Sequence, residues 1–263
     1  MSIYDPIPAN SDVWIARQYQ KGSLHRRTPL LLLPMRTLLF AAFQLLYVLV
    51  LQIGGTVGAW EKSATVWPFF AAMGSLVTLL VVSRLFKQEG LHYRDLLRLK
   101  QGSIGKDILT TLAFFMVSGP VAYLPNIFFG RLFFGDPMVP SKMMFETFPM
   151  PIAVLAVILF PGMVALTELP TYFGYILPRL KSGLGRGWLA VALPVFWLAF
   201  QHVTLPLIFD LRFMAWRFLM FLPFALMAGL LLAWRPRLLP YMMVGHLLMD
   251  ISTGIFFIPG IMP

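Results

Sequence analysis

The chain is expected to fold as an all-α, polytopic membrane helix bundle of about seven transmembrane helices with its N-terminus inside. Three observations predict this. Hydrophobic residues make up 59% of the chain and charged residues only 12%, against roughly 45–50% and about 25% in soluble domains. The apolar residues gather into seven stretches, each close to the ~20 residues that cross a bilayer as a helix. The cations between those stretches alternate in abundance from one loop to the next, as the positive-inside rule requires.

In chain order, residues 1–36 form a polar, basic tail. It lacks the succession of charged, apolar and small-residue segments that marks a cleaved leader, so the first apolar run is expected to remain in the mature protein. The stretches that follow cover about 37–57, 67–85, 108–129, 150–177, 188–209, 213–233 and 238–257, which makes 37–263 the bundle. Loops assigned to the inside hold Arg17, Lys21, Arg26, Arg27 and Arg36, then Arg84, Lys87, Arg94, Arg98, Lys100 and Lys106, then Arg179, Lys181 and Arg186, then Arg235 and Arg237. Those assigned to the outside hold only Lys62, Arg131, Lys142, Arg212 and Arg217. Between the second and third stretches, leucines and cations from Gly90 to Lys100 fit either a helix lying in the inner headgroup region or a solvated connector. No internal repeat, low-complexity tract or second domain is visible.

The net charge of +10 raises the question of nucleic acid, but the cations lie in short clusters between apolar runs and no nucleic-acid-binding motif accompanies them. The charge reads as topology signal and contact with anionic lipid. The absence of cysteine excludes disulfides, thiolate ligands and a thiol nucleophile. Catalysis by this chain has to use oxygen or nitrogen groups.

An ionisable side chain at bilayer depth costs at least ~2.5–3.5 kcal/mol, and such groups tend to face the protein interior and serve a function. Among the acidic residues and histidines, four fall inside apolar runs: Glu168, His202, His246 and Asp250. At the helical rise, Glu168 lies about 16 Å from Arg179 and His246 about 14 Å from Arg237. His202 lies about 24 Å from Arg186 unless Pro194 bends its helix. His246 and Asp250, four apart, share one helix face. A Glu with two His and an acidic partner has the parts of a hydrolase: a carboxylate to take a proton from water, and imidazoles to hold that water or to stabilise an oxyanion. The same residues could instead hydrogen-bond helices to one another or relay protons in a transporter, although the inverted repeat common in transporters is not seen. Two His and a Glu could also hold zinc with an open position, but there is no HExxH, so no cofactor is expected and a divalent metal stays open.

The segment Glu168-Leu-Pro-Thr-Tyr-Phe-Gly174-Tyr-Ile-Leu-Pro-Arg-Leu180 resembles the first motif, EExxxRG, of the type II CAAX prenyl protease and bacteriocin-processing (CPBP, or Abi) family of intramembrane peptidases. Leu198-Ala-Phe-Gln-His202 is similar to the family's FxxxH, with Leu for Phe, and His246-Leu-Leu-Met-Asp250 to its HxxxN or HxxxD. The resemblance covers about residues 90–257. It implies a metal-free intramembrane endopeptidase in which Glu168 and His202 activate water and His246 and Asp250 support the oxyanion. Implied with it are a membrane peptide or protein substrate and a location in a bacterial inner (plasma) membrane; nothing in the chain reads a prenyl group. The pattern departs from the family at Leu169 and Phe173, which stand where the family has its second Glu and its Arg. Both partners of that pair, four apart on one face, are apolar here. Either the site is repacked and active, or the protein is a catalytically silent member acting as an immunity or scaffold factor.

Overall fold

The computed structural model describes residues 10–99, 103–184 and 187–261. Residues 1–9 of the expected tail, Lys100 and Arg186 of the inner loops, and residues 262–263 lie outside the described residues. Lipid offers no partner to a backbone amide, so each apolar run closes its own hydrogen bonds as a helix. Six helical segments are long and apolar enough to cross a membrane: Arg27–Ile53, Trp67–Gln88, Ile104–Phe134, Met150–Leu184, Leu211–Trp234 and Pro236–Phe257. A shorter apolar helix covers Gly187–Val203. The chain is an all-α membrane helix bundle, with no β-strand among the described residues.

A short helix, α1 (Asp12–Gln20), is capped by Ser11, whose hydroxyl accepts from Trp14 N–H. The first spanning segment then begins at Arg27 instead of 37, as α2 (Arg27–Leu32) and, after a break at Leu33 and Pro34, α3 (Met35–Ile53). After the short α4 (Ala59–Thr65), α5 (Trp67–Gln88) returns. A 3-10 turn at Tyr93–Leu97 leads to α6 (Ile104–Phe134), which carries Pro120 and Pro125, and α7 (Val139–Lys142) links it to α8 (Met150–Ala165). The fourth segment continues as a π-helix at Pro170–Ile176 and ends in α9 (Leu177–Leu184). Next come α10 (Gly187–Phe200), α11 (Leu211–Trp234), whose first turn is capped by the Asp210 carboxylate, and α12 (Leu239–Gly254). α10 packs on α11 and α11 on α6, while α12 lies on α8 and α5 touches both α3 and α8. One apolar cluster gathers Phe86, Tyr172, Phe173, Tyr175 and Phe224; a second gathers Phe40, Trp67, Phe160, Trp216 and Phe257.

The fifth expected stretch, 188–209, does not form one span. Its helix stops at Phe200, tightens into a 3-10 turn at Gln201–Val203 and gives way to a loop. Pro206 has no N–H to continue a helix and bars helical geometry at the residue before it; the Leu205–Pro206 peptide is cis. Irregular backbone at membrane depth must find its partners within the protein, and here two buried side chains supply them. Leu207 N–H donates to Gln44 Oε1 at 2.7 Å and Gln44 Nε2 donates to Leu207 O at 2.9 Å. From the other side, Arg217 donates through Nε to His202 O at 3.2 Å and through Nη2 to Leu205 O at 2.5 Å. Arg217 therefore sits buried within α11 and not in an outer loop.

Other charges expected at span ends are paired, Arg179 with Glu89 in the interior and Asp107, itself buried, with the exposed Arg237. Arg179 binds Glu89 and also donates to Asn10 Oδ1 at 3.0 Å, and Asp107 accepts from Arg237 at 3.0 Å. These contacts tie the segment before α1, the end of α5 and the start of α6 to their neighbours. Gln44→Leu is expected to leave both backbone groups of Leu207 unpaired, at a cost of about 1–3 kcal/mol each. A thermal unfolding curve of the protein in detergent would show a clearly lowered midpoint; an unchanged midpoint would mean that the loop has no need of Gln44.

Candidate functional site

The site begins with a break in a helix. Pro170 has no N–H to donate four residues back, so Leu166 O is left without its helical partner. The Tyr93 hydroxyl donates to that carbonyl instead. Below the break, Pro170–Ile176 winds as a π-helix, a geometry often found at functional sites. Glu168 stands at this junction, 4% exposed.

Three side chains converge on the Glu168 carboxylate. Gln201 Nε2 donates to Oε2 at 2.7 Å, and Arg36 Nη2 lies 3.6 Å from the same oxygen. The ring is closed by Arg36 Nε, which donates to Gln201 Oε1 at 2.7 Å, while Nη1 donates to Thr167 Oγ1 at 2.8 Å and Ser75 Oγ at 3.2 Å. Oε1, the other oxygen, is 3.5 Å from His246 Nε2. That nitrogen is also 3.5 Å from Asp250 Oδ2, one turn further along α12. One carboxylate oxygen is thus anchored and the second is turned toward a histidine between two acids.

These 3.5 Å approaches are electrostatic contacts rather than made hydrogen bonds. Arg36 Nη2, His246 Nδ1 and Asp250 Oδ2 are buried with no hydrogen bond to any described residue. A buried polar atom left alone costs about 1–3 kcal/mol, and in native proteins such groups are completed by water or a ligand.

His202 reaches the same space from the 3-10 turn after α10. Its Nδ1 is 2.9 Å from Leu198 O and its ring stacks on Phe221, with centroids 3.5 Å apart. A carbonyl can only accept, so Nδ1 carries the hydrogen and Nε2 of the neutral ring keeps its lone pair. Glu168, His202, His246 and Asp250 all line one cavity of about 1030 Å³. Its rim lies between α6 and α12, where Leu112, Tyr123, Val244 and Leu248 are exposed, and extends to Leu97 and Leu99 in the segment before α6. The four residues singled out in the sequence are brought to one cavity. Among the described residues no three His, Asp or Glu side chains are placed to hold one metal ion.

Arg36, Gln201 and Arg217 were not legible as site residues. Arg36 and Arg217 counted as loop cations flanking apolar runs, and Gln201 is uncharged. The local signal for Gln201 was its place beside His202; for Arg36 nothing short of the fold brings residues 36 and 168 together. Leu169 and Phe173 are buried in the apolar cluster around Tyr172 and Phe224, as the loss of both charged partners suggested. The guanidinium beside Glu168 comes from α3.

No family model, curated protein or solved structure matches the chain.

Removing one partner from a buried pair is far costlier than removing both. Arg36→Gln alone is expected to destabilise by on the order of 3–5 kcal/mol. Combined with Glu168→Gln it should cost clearly less than the sum of the two single changes. Additive costs in a double-mutant cycle by detergent unfolding would mean that the two side chains do not interact.

Proposed function

We propose that the chain is an intramembrane endopeptidase of the CPBP kind, in which water activated by Glu168 cleaves a membrane peptide or protein substrate. The observation that carries this reading is the asymmetry of the Glu168 carboxylate: Oε2 is fixed by Gln201 and Arg36, while Oε1 lies 3.5 Å from His246 Nε2, and both residues line the cavity. A base must be held still and yet present a lone pair where the proton is. Oε1 meets both conditions.

In this reading a water on Oε1 is also held by His202 Nε2. It loses a proton to Glu168 as its oxygen attacks the peptide carbonyl. His246, polarised by Asp250, donates to the carbonyl oxygen as negative charge develops there. The C–N bond then breaks and the proton on Glu168 leaves with the new amine. The apolar lining and the rim between two membrane helices suit a substrate that arrives within the bilayer, in a bacterial plasma membrane. No step calls for a metal.

Two experiments test this. With the protein in liposomes and a panel of single-span peptides analysed by mass spectrometry, Glu168→Gln is expected to lower cleavage by on the order of 10²–10⁴-fold. The amide has nearly the same shape and cannot take the proton. His202→Ala should be nearly as damaging and Asp250→Asn mild; cleavage undiminished in Glu168→Gln would overturn the assignment. Separately, the rate should survive excess chelator, and a loss restored by added zinc would replace water activation by Glu168 with metal catalysis.

A further inference from the structure

The cavity wall carries one charged group that takes no part in the proposed chemistry. Arg217 is the only Lys or Arg on its wall among the described residues, and it is 5% exposed. It joins none of the ion pairs among the described residues. Its Nε and Nη2 hold the loop carbonyls of His202 and Leu205, but Nη1 meets only the Met220 sulfur, at 3.9 Å. The faces of its guanidinium rest near Phe221 and Trp216, at 4.9 and 5.6 Å to the ring centroids. Two carbonyl dipoles and two rings soften the charge without cancelling it. A cation buried with no anion is among the costlier arrangements in a protein interior.

We propose that Arg217 is the anion-binding end of a site for a membrane amphiphile, namely a long apolar chain ending in a carboxylate. The cavity volume of about 1030 Å³ matches the upper end of pockets that enclose drug-sized ligands. Its wall near Arg217 is apolar, with Leu198, Met220 and Phe224, and the rim between α6 and α12 faces the region where lipid chains lie. Glu168 and Asp250 on the same wall repel an anion, which leaves Arg217 as the group there that a carboxylate can pair with. Only Nη1 of the guanidinium is without an oxygen partner among the described residues. One guanidinium with two acids on the same wall balances the single charge of a carboxylate better than the roughly −1.5 to −2 of an alkyl phosphate. This inference does not depend on hydrolysis.

Binding can be read by quenching of intrinsic tryptophan fluorescence, Trp67 lying on the cavity wall, using the full chain in nonionic detergent. The probes are bromine-labelled palmitate and the alkyl phosphate and alkyltrimethylammonium of equal chain length. Palmitate is expected to bind on the order of tenfold more tightly than the ammonium probe, a difference of about 1.4 kcal/mol. Arg217→Gln should abolish that preference and Arg217→Lys should keep most of it. The preference is read from binding alone and is expected whether or not the wild type proves to be a peptidase. Equal binding of palmitate and the ammonium probe to the wild type would overturn the proposal, and that comparison needs no variant to fold. So would a preference that persists in Arg217→Gln, or tighter binding of the phosphate.

Discussion

A carboxylate carried into a bilayer needs a cation and hydrogen-bond donors close by, because lipid provides neither and the cost of going without is several kcal/mol. Glu168 meets that constraint with Arg36 and Gln201, and much of the fold around it follows. Arg36 has to enter the membrane on α3, which is why the first spanning segment starts at Arg27 and not after the last cation of the tail. Gln201 has to point back toward α8, and it does so from the 3-10 turn in which α10 ends. Thr167 and Ser75 complete the guanidinium and so tie α5 and the end of α8 to the same centre. Four segments of the chain are fixed by the demands of one side chain.

The same logic explains the two places where the helices are imperfect. The Pro170 break and the Pro206 loop each leave backbone groups that lipid cannot satisfy, and each is answered by a polar side chain from elsewhere: Tyr93 for Leu166, Gln44 and Arg217 for residues 202–207. Both irregularities flank the cavity. The break sets Glu168 at a junction of helix types, and the loop holds His202 at the cavity wall, its ring fixed between Leu198 O and Phe221.

The sequence disclosed much of this, unevenly. Membrane helices are written in long apolar runs, so the bundle and six of its spans could be read directly, and an acid or histidine inside such a run stands out. Glu168, His202, His246 and Asp250 were found that way. Arg36 and Arg217 sit a few residues inside the helices they begin, where hydropathy cannot distinguish a flanking cation from a buried one. Their burial depends on partners 132 and 12–15 positions away. The span over 188–209 was overextended because Leu205, Leu207, Ile208 and Phe209 keep the loop apolar, while its break rests on a single proline. The missing Glu and Arg of the first motif left open what stands beside Glu168; the guanidinium found there, Arg36, lies outside the part of the chain that carries the resemblance.

The proposal turns on water attacking the substrate directly while Glu168 serves as base. Single-turnover cleavage of a reconstituted membrane peptide in heavy-oxygen water, followed by mass spectrometry of both product and protein, separates this from the alternatives. Direct attack predicts one heavy oxygen in the newly formed carboxylate of the product and none in Glu168. Heavy oxygen in the Glu168 side chain, or a peptide that is held without any new carboxylate appearing, would contradict it.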